Sequence, residues 1–225
     1  MAIRFRIALV GFITLSILFG ASCVNISKST KVSQVTGTTV AAATQPTTTN
    51  PKQWTSPPLM TIDQNKNYIA TIKTNYGDIV IQLLPKNAPL AVNNFVFLSQ
   101  QGFYNGVKFY RVFKGFMIQS GDPTGTGSGG PGYTFKDELP TTLDYTAGTV
   151  AMAHPGPNDN GSQFFIMLAD YSGQLPKDYT IFGEVTSGMD VVQQIGNVPV
   201  KASASGEHSS PTVEVHINMV TITKK

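Results

Sequence analysis

From Tyr68 onward, apolar residues come in short runs separated by polar or glycine-rich turns, and this pattern constrains the fold more than any other feature. The runs at 68–74 and 79–84 have strand character, and the Asn-Tyr-Gly-Asp between them is typical of a hairpin turn. Further strands are predicted at 107–112, 116–120, 148–153, 163–168, 180–185 and 213–219. Helical spacing of apolar residues is confined to 87–101 and 187–195.

Each predicted helix is preceded by a polar residue that is suited to cap its first turn. Asn87 precedes the first helix, in which Pro89 fits the first turn, and Ser187 precedes the second. Many short strands with two isolated helices indicate a mainly β domain. The pattern alone does not decide between a sandwich and a closed barrel whose ends are covered by the helices.

A single arginine serves the whole of this β-rich part of the chain. Arg111 lies in its most aromatic stretch, residues 109–122, which has the pattern of two short strands joined at a Lys-Gly turn. The other two arginines, Arg4 and Arg6, lie at the N-terminus. A guanidinium is planar, permanently charged and forked, so lysine does not replace it at a directional site. The alternative is a surface arginine whose aliphatic stem covers a strand.

Two stretches together resemble the signature of the cyclophilins, the peptidyl-prolyl cis-trans isomerases. Residues 109–122 read Phe-x-Arg-Val-x-x-Gly-Phe-Met-x-Gln-x-Gly-Asp, and residues 152–166 read Met-Ala-x-x-Gly-Pro-Asn-x-Asn-Gly-Ser-Gln-Phe-Phe-Ile. The resemblance covers roughly residues 68–223. It implies a mainly β fold, a closed eight-stranded antiparallel β-barrel capped by two helices. It also implies an enzyme that catalyses rotation about X-Pro bonds.

The resemblance assigns roles to the positions that match the family's motifs. It implies that Arg111 and Gln119 are catalytic, with Gln119 bonding the substrate backbone and steadying the arginine. His154 stands where the family binds substrate through main-chain groups, and Tyr179 stands where it usually has histidine. The implied substrate-binding residues are Phe116, Met117, Phe165 and Leu175 in the proline pocket, with Ala153, His154, Gln163 and Tyr179 along the groove. Without the resemblance, Phe116, Met117 and Phe165 would each be interpreted as core residues.

The chemistry of proline isomerisation fits this set of residues. Rotation about an X-Pro bond crosses a barrier of about 18–20 kcal/mol but needs no covalent step. A catalyst need only hold the proline ring in an apolar pocket and favour the twisted amide over the planar one. As the amide twists, its nitrogen regains a lone pair, to which a fixed guanidinium can donate a hydrogen bond. This is a physical reason for placing the one arginine at position 111.

Charge and composition exclude several other classes of function. The first 60 residues hold five of the 16 bases and none of the 13 acids, so the remainder has a net charge of −2. The basic balance of the chain therefore does not indicate a nucleic-acid-binding face. His154, His208 and His216 have no acids at metal-ligand spacing, so neither a metal nor another cofactor is predicted.

The N-terminus has the layout of an export signal. Arg4 and Arg6 are followed by an uncharged, mostly apolar run at 7–20 that is short for a membrane span. Small residues then precede Cys23, the only cysteine, in a pattern that resembles the bacterial lipobox. We therefore predict a signal peptide at 1–22, lipidation of Cys23 and attachment to the outer face of the cell membrane. An ordinary cleaved signal, giving a secreted protein, and an uncleaved N-terminal anchor are the alternatives.

The segment between the leader and the β-rich part predicts a tether. Residues 25–58 are rich in Thr, Ser, Ala, Gln and Pro and have few large apolar residues, so they are expected to be disordered. Trp54 is an exception, and it is expected to pack on the edge of the domain. The predicted organisation is a signal peptide at 1–22, a lipid-anchored flexible linker at 23–60 and an isomerase domain at 61–225.

Two functions remain open from the sequence. The first is an exported, monomeric prolyl isomerase that helps proline-containing polypeptides to fold outside the cytoplasm, with the membrane as its other partner. The second is a non-catalytic module that binds proline-containing segments as a chaperone or adaptor. The lone Arg111 favours the enzyme, because mere binding of a proline ring needs only the apolar pocket.

Overall fold

The computed structural model describes residues 52–225, which form ten strands and two helices. In chain order these are β1 (Tyr68–Thr74), β2 (Gly77–Leu83), α1 (Pro89–Gln100), β3 (Arg111–Phe113), β4 (Met117–Ser120), β5 (Thr149–Met152), β6 (Phe164–Met167), β7 (Ile181–Ser187), α2 (Met189–Gly196), β8 (Val200–Ala202), β9 (His208–Pro211) and β10 (Ile217–Lys224). The predicted mainly β class with two helices is confirmed.

Eight of the strands form one curled antiparallel sheet, in the order β10-β1-β2-β7-β5-β6-β4-β3. The prediction of a closed barrel is wrong, because the edge strands β3 and β10 are not paired with each other. The chain on either side of this gap makes one isolated bridge, between Lys108 and His216, and a few backbone hydrogen bonds at 106–109 and 215–217. The bridge does not extend into a ladder, because β3 begins only at Arg111 and β10 only at Ile217.

The main core lies between the concave face of the sheet and helix α1. Alternate residues of β1 and β2, such as Ile72 and Ile81, are fully buried, as expected for strands with one face on a core. Phe95 of α1 inserts into this layer and contacts Phe164 and Phe182, with ring centroids 5.6 and 5.3 Å away. The helix therefore packs on the same side of the sheet as these buried side chains.

The start of α1 is stabilised by a side chain distant in sequence rather than by the predicted cap Asn87. The N-cap residue is Ala88, which has no side-chain acceptor. The Glu138 carboxylate instead accepts hydrogen bonds from the backbone N–H groups of Leu90 and Ala91, at 2.8 and 2.9 Å. Burial raises the pKa of Glu138 and these two bonds oppose the rise. An acceptor from another part of the chain thus satisfies the free donors of the first turn.

Helix α2 also begins without the predicted cap. Ser187 is the last residue of β7, and the N-cap is Gly188, which has a left-handed φ of 86°. A Cβ at Gly188 would collide with the carbonyl oxygen of Asp78. The strand-to-helix corner therefore needs glycine both for its dihedral angle and for the close approach of β2.

The β8–β9 hairpin was not predicted, and its strands end at a turn within 203–207. The register pairs Val200 with Pro211 and Lys201 with Ser210, and the hairpin forms a separate two-stranded sheet. Polar residues dominate it, so the sequence shows no apolar alternation that would indicate strands. The strand expected at 213–219 begins four residues later, as β10 at Ile217.

The segment that precedes the predicted domain boundary at residue 61 already packs against the domain. The ring of Trp54 lies 5.2 Å from Phe97 and 6.0 Å from Phe103, and its backbone N–H donates to Pro131 at 2.8 Å. Asn93 of α1 accepts hydrogen bonds from the backbone N–H groups of Thr61 and Ile62. The predicted packing of Trp54 on the domain edge is confirmed. The predicted tether at 25–58 therefore includes, at its C-terminal end, chain that packs on the domain.

Residues 52–225 include no helix with both the length and the apolar character needed to span a bilayer. The predicted signal peptide at 1–22, and Cys23 with its lipid, lie outside the described residues.

Candidate active site

A cavity of about 740 Å³ opens on the β3 edge of the sheet and brings together the predicted site residues. Its lining includes Arg111, Phe116, Met117, Gln119, Ala153, His154, Gln163, Phe165, Leu175 and Tyr179. Every residue that the sequence assigned to catalysis or substrate binding is in this set. The lining also contains residues that the sequence did not predict, among them Tyr110 and several residues of the β8–β9 hairpin.

Strand register explains why the polar and apolar parts of the cavity lie side by side. In the β3–β4 ladder Arg111 pairs with Gln119, and in the β4–β6 ladder Gln119 pairs with Phe165. Paired residues of neighbouring strands project from the same face of a sheet, so these three side chains form one row. The eight-residue separation of Arg111 and Gln119 is set by the tight turn between β3 and β4. We refer to this set as the Arg111 row.

The Arg111 guanidinium is held by two acceptors on different elements. Its Nη1 donates to Gln119 Oε1 at 3.1 Å. Its Nε and Nη2 donate to the two oxygens of Glu207, at 2.6 and 2.7 Å, in a bidentate pair. These hydrogen bonds lower the pKa of Glu207 and raise that of Arg111. Glu207 was missed because it lies 96 residues from Arg111 in an unpredicted hairpin, and nothing in the sequence indicated the pairing.

Gln119 also connects the arginine to the opposite side of the cavity. Its Nε2 donates to the hydroxyl of Tyr110 and, at 3.2 Å, to Gln163 Oε1. The Tyr110 hydroxyl donates in turn to Gln163 Oε1, and burial, followed by the charge of Asp122, raises the Tyr110 pKa. The amide orientation of Gln119 is thus fixed, with its oxygen towards Arg111 and its nitrogen towards Tyr110.

Gln163 continues this chain of hydrogen bonds to the glycine-rich loop at 121–133. Its Nε2 donates to the carbonyl oxygens of Gly127 and Gly129, at 3.1 and 3.0 Å. The loop is organised from within by Asp122, whose carboxylate accepts from the backbone N–H groups of Thr124 and Gly127, at 2.7 and 2.6 Å. Burial raises the pKa of Asp122, but the hydrogen bonds outweigh burial and lower it. The loop is therefore a structured wall of the cavity.

The floor of the cavity is an apolar cluster separate from the main core. Met117 and Phe165 are 2% and 5% exposed and belong to this second cluster. Phe165 packs edge to face on Tyr179, with ring centroids 5.5 Å apart, and Phe116 packs on Tyr171 at 4.7 Å. Partly buried residues at the rim of the cluster include Phe116, Ala153, Leu175 and Tyr179. An apolar ring of modest size can enter here and contact aromatic faces and edges.

His154 presents its main chain, rather than its ring, to the cavity. Its imidazole is 5% exposed, with Nε2 3.0 Å from the Asp178 carbonyl oxygen and 3.4 Å from an Asp137 carboxylate oxygen. The ring also packs on Tyr179 at 4.9 Å. These contacts use Nε2 and one face of the ring, while Nδ1 is buried without a hydrogen-bond partner among residues 52–225. The Ala153 N–H donates to the Gln163 carbonyl oxygen, so the Ala153 carbonyl group and the His154 main chain are the parts of this segment that remain for a ligand.

Across residues 52–225, no three His, Cys, Asp or Glu side chains converge in a way that could hold a metal ion. The cavity offers one cation with fixed direction, hydrogen-bonding amides beside it, and an apolar floor. This arrangement can grip a small apolar ring and donate a hydrogen bond next to it.

Comparisons with known proteins agree with this geometry. Residues 69–222 match the model of the family described as cyclophilin type peptidyl-prolyl cis-trans isomerase/CLD. The crystal structure of a Cryptosporidium parvum cyclophilin type peptidyl-prolyl cis-trans isomerase superposes with a TM-score of 0.64 and 36% identity, covering 71% of this chain and 99% of that one. The same protein in the presence of the dipeptide Ala-Pro gives a TM-score of 0.63 at 37% identity, covering 70% and 99%.

Sequence relatives extend the comparison and set its limits. Mouse peptidylprolyl isomerase domain and WD repeat-containing protein 1 is 45% identical over 157 residues, 68% of this chain but only 24% of that protein. Human peptidyl-prolyl cis-trans isomerase-like 1 is 49% identical over 131 residues, 56% of this chain and 78% of that protein. A Helicobacter pylori peptidyl-prolyl cis-trans isomerase is 46% identical over 133 residues, 58% and 81% of the two chains. On the family model, the fold and these relatives, the chain belongs to the cyclophilin-type peptidyl-prolyl cis-trans isomerase family.

Proposed function

We propose that this protein is an exported peptidyl-prolyl cis-trans isomerase that accelerates X-Pro rotation in polypeptides folding outside the cytoplasm. The observation that carries the proposal is the Arg111 row, which places a fixed guanidinium and an amide beside a buried aromatic floor. The membership of the chain in the isomerase family supports the reaction. The leader sequence supports the location.

In this proposal the apolar floor holds the proline ring and the arginine acts on the amide nitrogen. Phe165 and Met117 contact the ring, with Phe116 and Leu175 at its sides. Glu207 and Gln119 use three of the five N–H groups of Arg111, so two remain for the lone pair that develops on the twisted nitrogen. A donor that is stronger towards the twisted amide than towards the planar one lowers the barrier without a covalent step.

The groove residues orient the flanking peptide. Gln163 is held by the glycine-rich loop, so its side chain has a defined position at the cavity wall. The backbone at Ala153 and His154 provides main-chain groups to a bound peptide, and Tyr179 covers the edge of Phe165. The substrates in this proposal are proline-containing polypeptides. The Cryptosporidium parvum relative whose structure was determined in the presence of Ala-Pro supports this substrate class.

The cellular context that we propose follows from the N-terminal sequence. Residues 1–22 are a signal peptide, Cys23 carries the lipid, and the chain that follows tethers the domain at 61–225 to the outer face of the cell membrane. The domain acts as a monomer and requires no cofactor or nucleic acid. A secreted form and an uncleaved N-terminal anchor are the alternatives to the lipid.

A module that binds proline segments without turnover is the second candidate. It is favoured by one observation, that Glu207 already pairs with the edge of Arg111 and so shares the guanidinium with any ligand. A binding module would need only the apolar floor, and its affinity would be insensitive to the arginine.

A protease-coupled assay on a proline tetrapeptide separates the two candidates. In this assay the protease cleaves only the trans peptide, so the rate of the slow phase measures isomerisation. An isomerase shortens the uncatalysed phase of tens to hundreds of seconds in proportion to its concentration. A slow phase that is unchanged by saturating protein, with measurable binding of the same peptide, would contradict the enzyme and support the binding module.

A further inference from the structure

We propose that Glu207 is a positioning residue, which fixes the direction of the Arg111 guanidinium for isomerisation. The inference rests on the proposed isomerase function, and it names a group of this chain that neither the family signature nor the strand register assigns to the site. Glu207 acts through Arg111 and does not itself contact the reacting amide.

The pairing geometry is the first support. Glu207 accepts side-on from Nε and Nη2 of Arg111, at 2.6 and 2.7 Å, which is the bidentate geometry that fixes both the position and the plane of a guanidinium. Gln119 accepts from Nη1 at 3.1 Å. Two N–H groups of Arg111, one on Nη1 and one on Nη2, have no protein acceptor among residues 52–225. The Glu207 carboxylate therefore orients the guanidinium and still leaves it donors for a ligand.

The backbone that carries Glu207 is the second support. The Ser203 N–H donates to the Glu207 carbonyl oxygen at 2.7 Å, and the Ser209 N–H donates to the same oxygen at 2.9 Å. The Gly206 N–H donates to Ser203 at 3.0 Å and completes the turn. Strand β9 of this hairpin packs against β3, which carries Arg111. The carboxylate is therefore delivered by a hydrogen-bonded turn anchored beside the strand that it serves.

The burial of the pair is the third support. The side chains of Arg111 and Glu207 are 34% and 30% exposed. Most hairpin residues between Ser203 and Ser210 line the same cavity as the Arg111 row. A partly buried ion pair is less screened by solvent than a surface one. Without the carboxylate, the long Arg111 side chain would be held only by the hydrogen bond that it donates to Gln119. Fixing the side chain beforehand removes that ordering cost from the bound state.

The opposite role for Glu207 is that of a competitor, which would occupy Arg111 and have to leave before substrate binds. The two roles predict opposite signs for removal of the carboxylate. If Glu207 positions Arg111, removing its carboxylate should lower mainly kcat, because the guanidinium is then misdirected in the transition state. A competitor makes its removal beneficial, because the guanidinium becomes available to the peptide.

The test compares Glu207→Ala and Glu207→Gln with the wild-type full-length chain, measuring kcat and KM separately on a proline tetrapeptide. Glu207→Ala is expected to lower kcat by about 10–100-fold and to change KM by less than about threefold. Glu207→Gln is expected to lose less, because its amide oxygen still accepts one hydrogen bond. Glu214→Gln is the matched control: this acid is 66% exposed, lies outside the cavity and should leave both constants unchanged.

A second readout follows the ion pair itself. The Nε–H signal of Arg111 in a ¹⁵N NMR spectrum is identified by its loss in Arg111→Lys, since the chain has only two other arginines. Exchange of this proton with water should be slow in the wild type and faster in Glu207→Ala. A kcat in Glu207→Ala that is unchanged or raised would overturn the positioning role, as would an Nε–H signal that does not depend on Glu207.

The same data separate this inference from the proposed function. Wild-type protein without turnover would refute the isomerase and the positioning role together, even if the Nε–H signal reports the ion pair. Wild-type protein with normal turnover and an insensitive Glu207→Ala variant would refute the positioning role alone.

Discussion

Replacing Arg111 by lysine should remove most isomerase activity while leaving the domain folded. Lysine keeps the positive charge but has no planar fork, so it cannot keep the side-on pair with Glu207 and also donate to Gln119 with the same geometry. The donor aimed at the developing lone pair is lost or misdirected. We therefore expect a kinetic defect that is much larger than the structural one.

The effect of Arg111→Lys on catalysis should be larger than its effect on stability. Removal of one preorganised donor from a site that stabilises developing charge costs about 10²–10³ in kcat, or about 2.7–4 kcal/mol. The effect on stability is smaller, because the Arg111–Glu207 pair is about a third exposed and such pairs contribute about 0.2–1 kcal/mol after screening by solvent. For a domain of this size, 1 kcal/mol corresponds to a shift in Tm of about 2–4 °C.

The assay is the protease-coupled measurement of kcat/KM, combined with thermal unfolding of each variant. Lys114→Gln is the matched control: it removes a positive charge from the exposed turn of the same β3–β4 hairpin without touching the cavity. It should retain wild-type kcat/KM. An Arg111→Lys variant with turnover near that of the wild type would exclude the proposed role of the guanidinium, whatever its Tm.

Four further outcomes are expected. Phe165→Ala removes a side chain that is only 5% exposed, so the free energy of unfolding should fall by about 3–5 kcal/mol and proline peptides should bind more weakly. Unaltered peptide binding by the folded variant would refute the pocket assignment. Gly121 has a φ of 94°, and a Cβ there would meet the Ser162 carbonyl oxygen, so Gly121→Ala should lower the free energy of unfolding by about 1–3 kcal/mol or more in chemical denaturation. Gly130→Ala, where the Cβ would enter open space, should leave it nearly unchanged. Cys23→Ser should release the protein from the detergent phase or leave it unprocessed; equal partitioning of both proteins would favour an uncleaved anchor. The folded pKa of Glu207 lies below its unfolded value, so the charged carboxylate stabilises the folded state. The difference in urea midpoint between wild type and Glu207→Gln should therefore be fully present above about pH 4.3 and should shrink as the pH falls through the folded pKa. A difference that does not depend on pH would contradict the charged pair.

The parts of the site that could be predicted are those fixed by local spacing. Arg111 and Gln119 lie on two strands joined by a tight turn, so their separation in sequence determines their register. Phe165 lies in a second motif that the family resemblance aligned with the first. The β class and the two helices followed from the length and period of the apolar runs. In each case the residues that carry the signal are neighbours along the chain.

The parts that could not be predicted depend on partners far away in sequence. Glu138 stabilises the start of α1 from 47 or more positions along the chain, so a local cap at Asn87 was the wrong interpretation. Glu207 reaches Arg111 from a polar hairpin that has no apolar alternation. The open edge of the sheet depends on where β3 and β10 begin, and a pattern of apolar residues locates strand ends poorly.

The position of Arg111 on an edge strand explains why the site needs support from both sides. Strand β3 is three residues long and pairs in the ladder only with β4, so its backbone alone would hold a long cationic side chain loosely. On the inner side, Gln119 connects the guanidinium through Gln163 to the glycine-rich loop. On the outer side, β9 packs against β3 and presents Glu207. The two sets of hydrogen bonds hold the guanidinium from opposite sides at the wall of the cavity. In this protein the direction of Arg111 therefore depends on the hairpin and the loop as much as on the sheet.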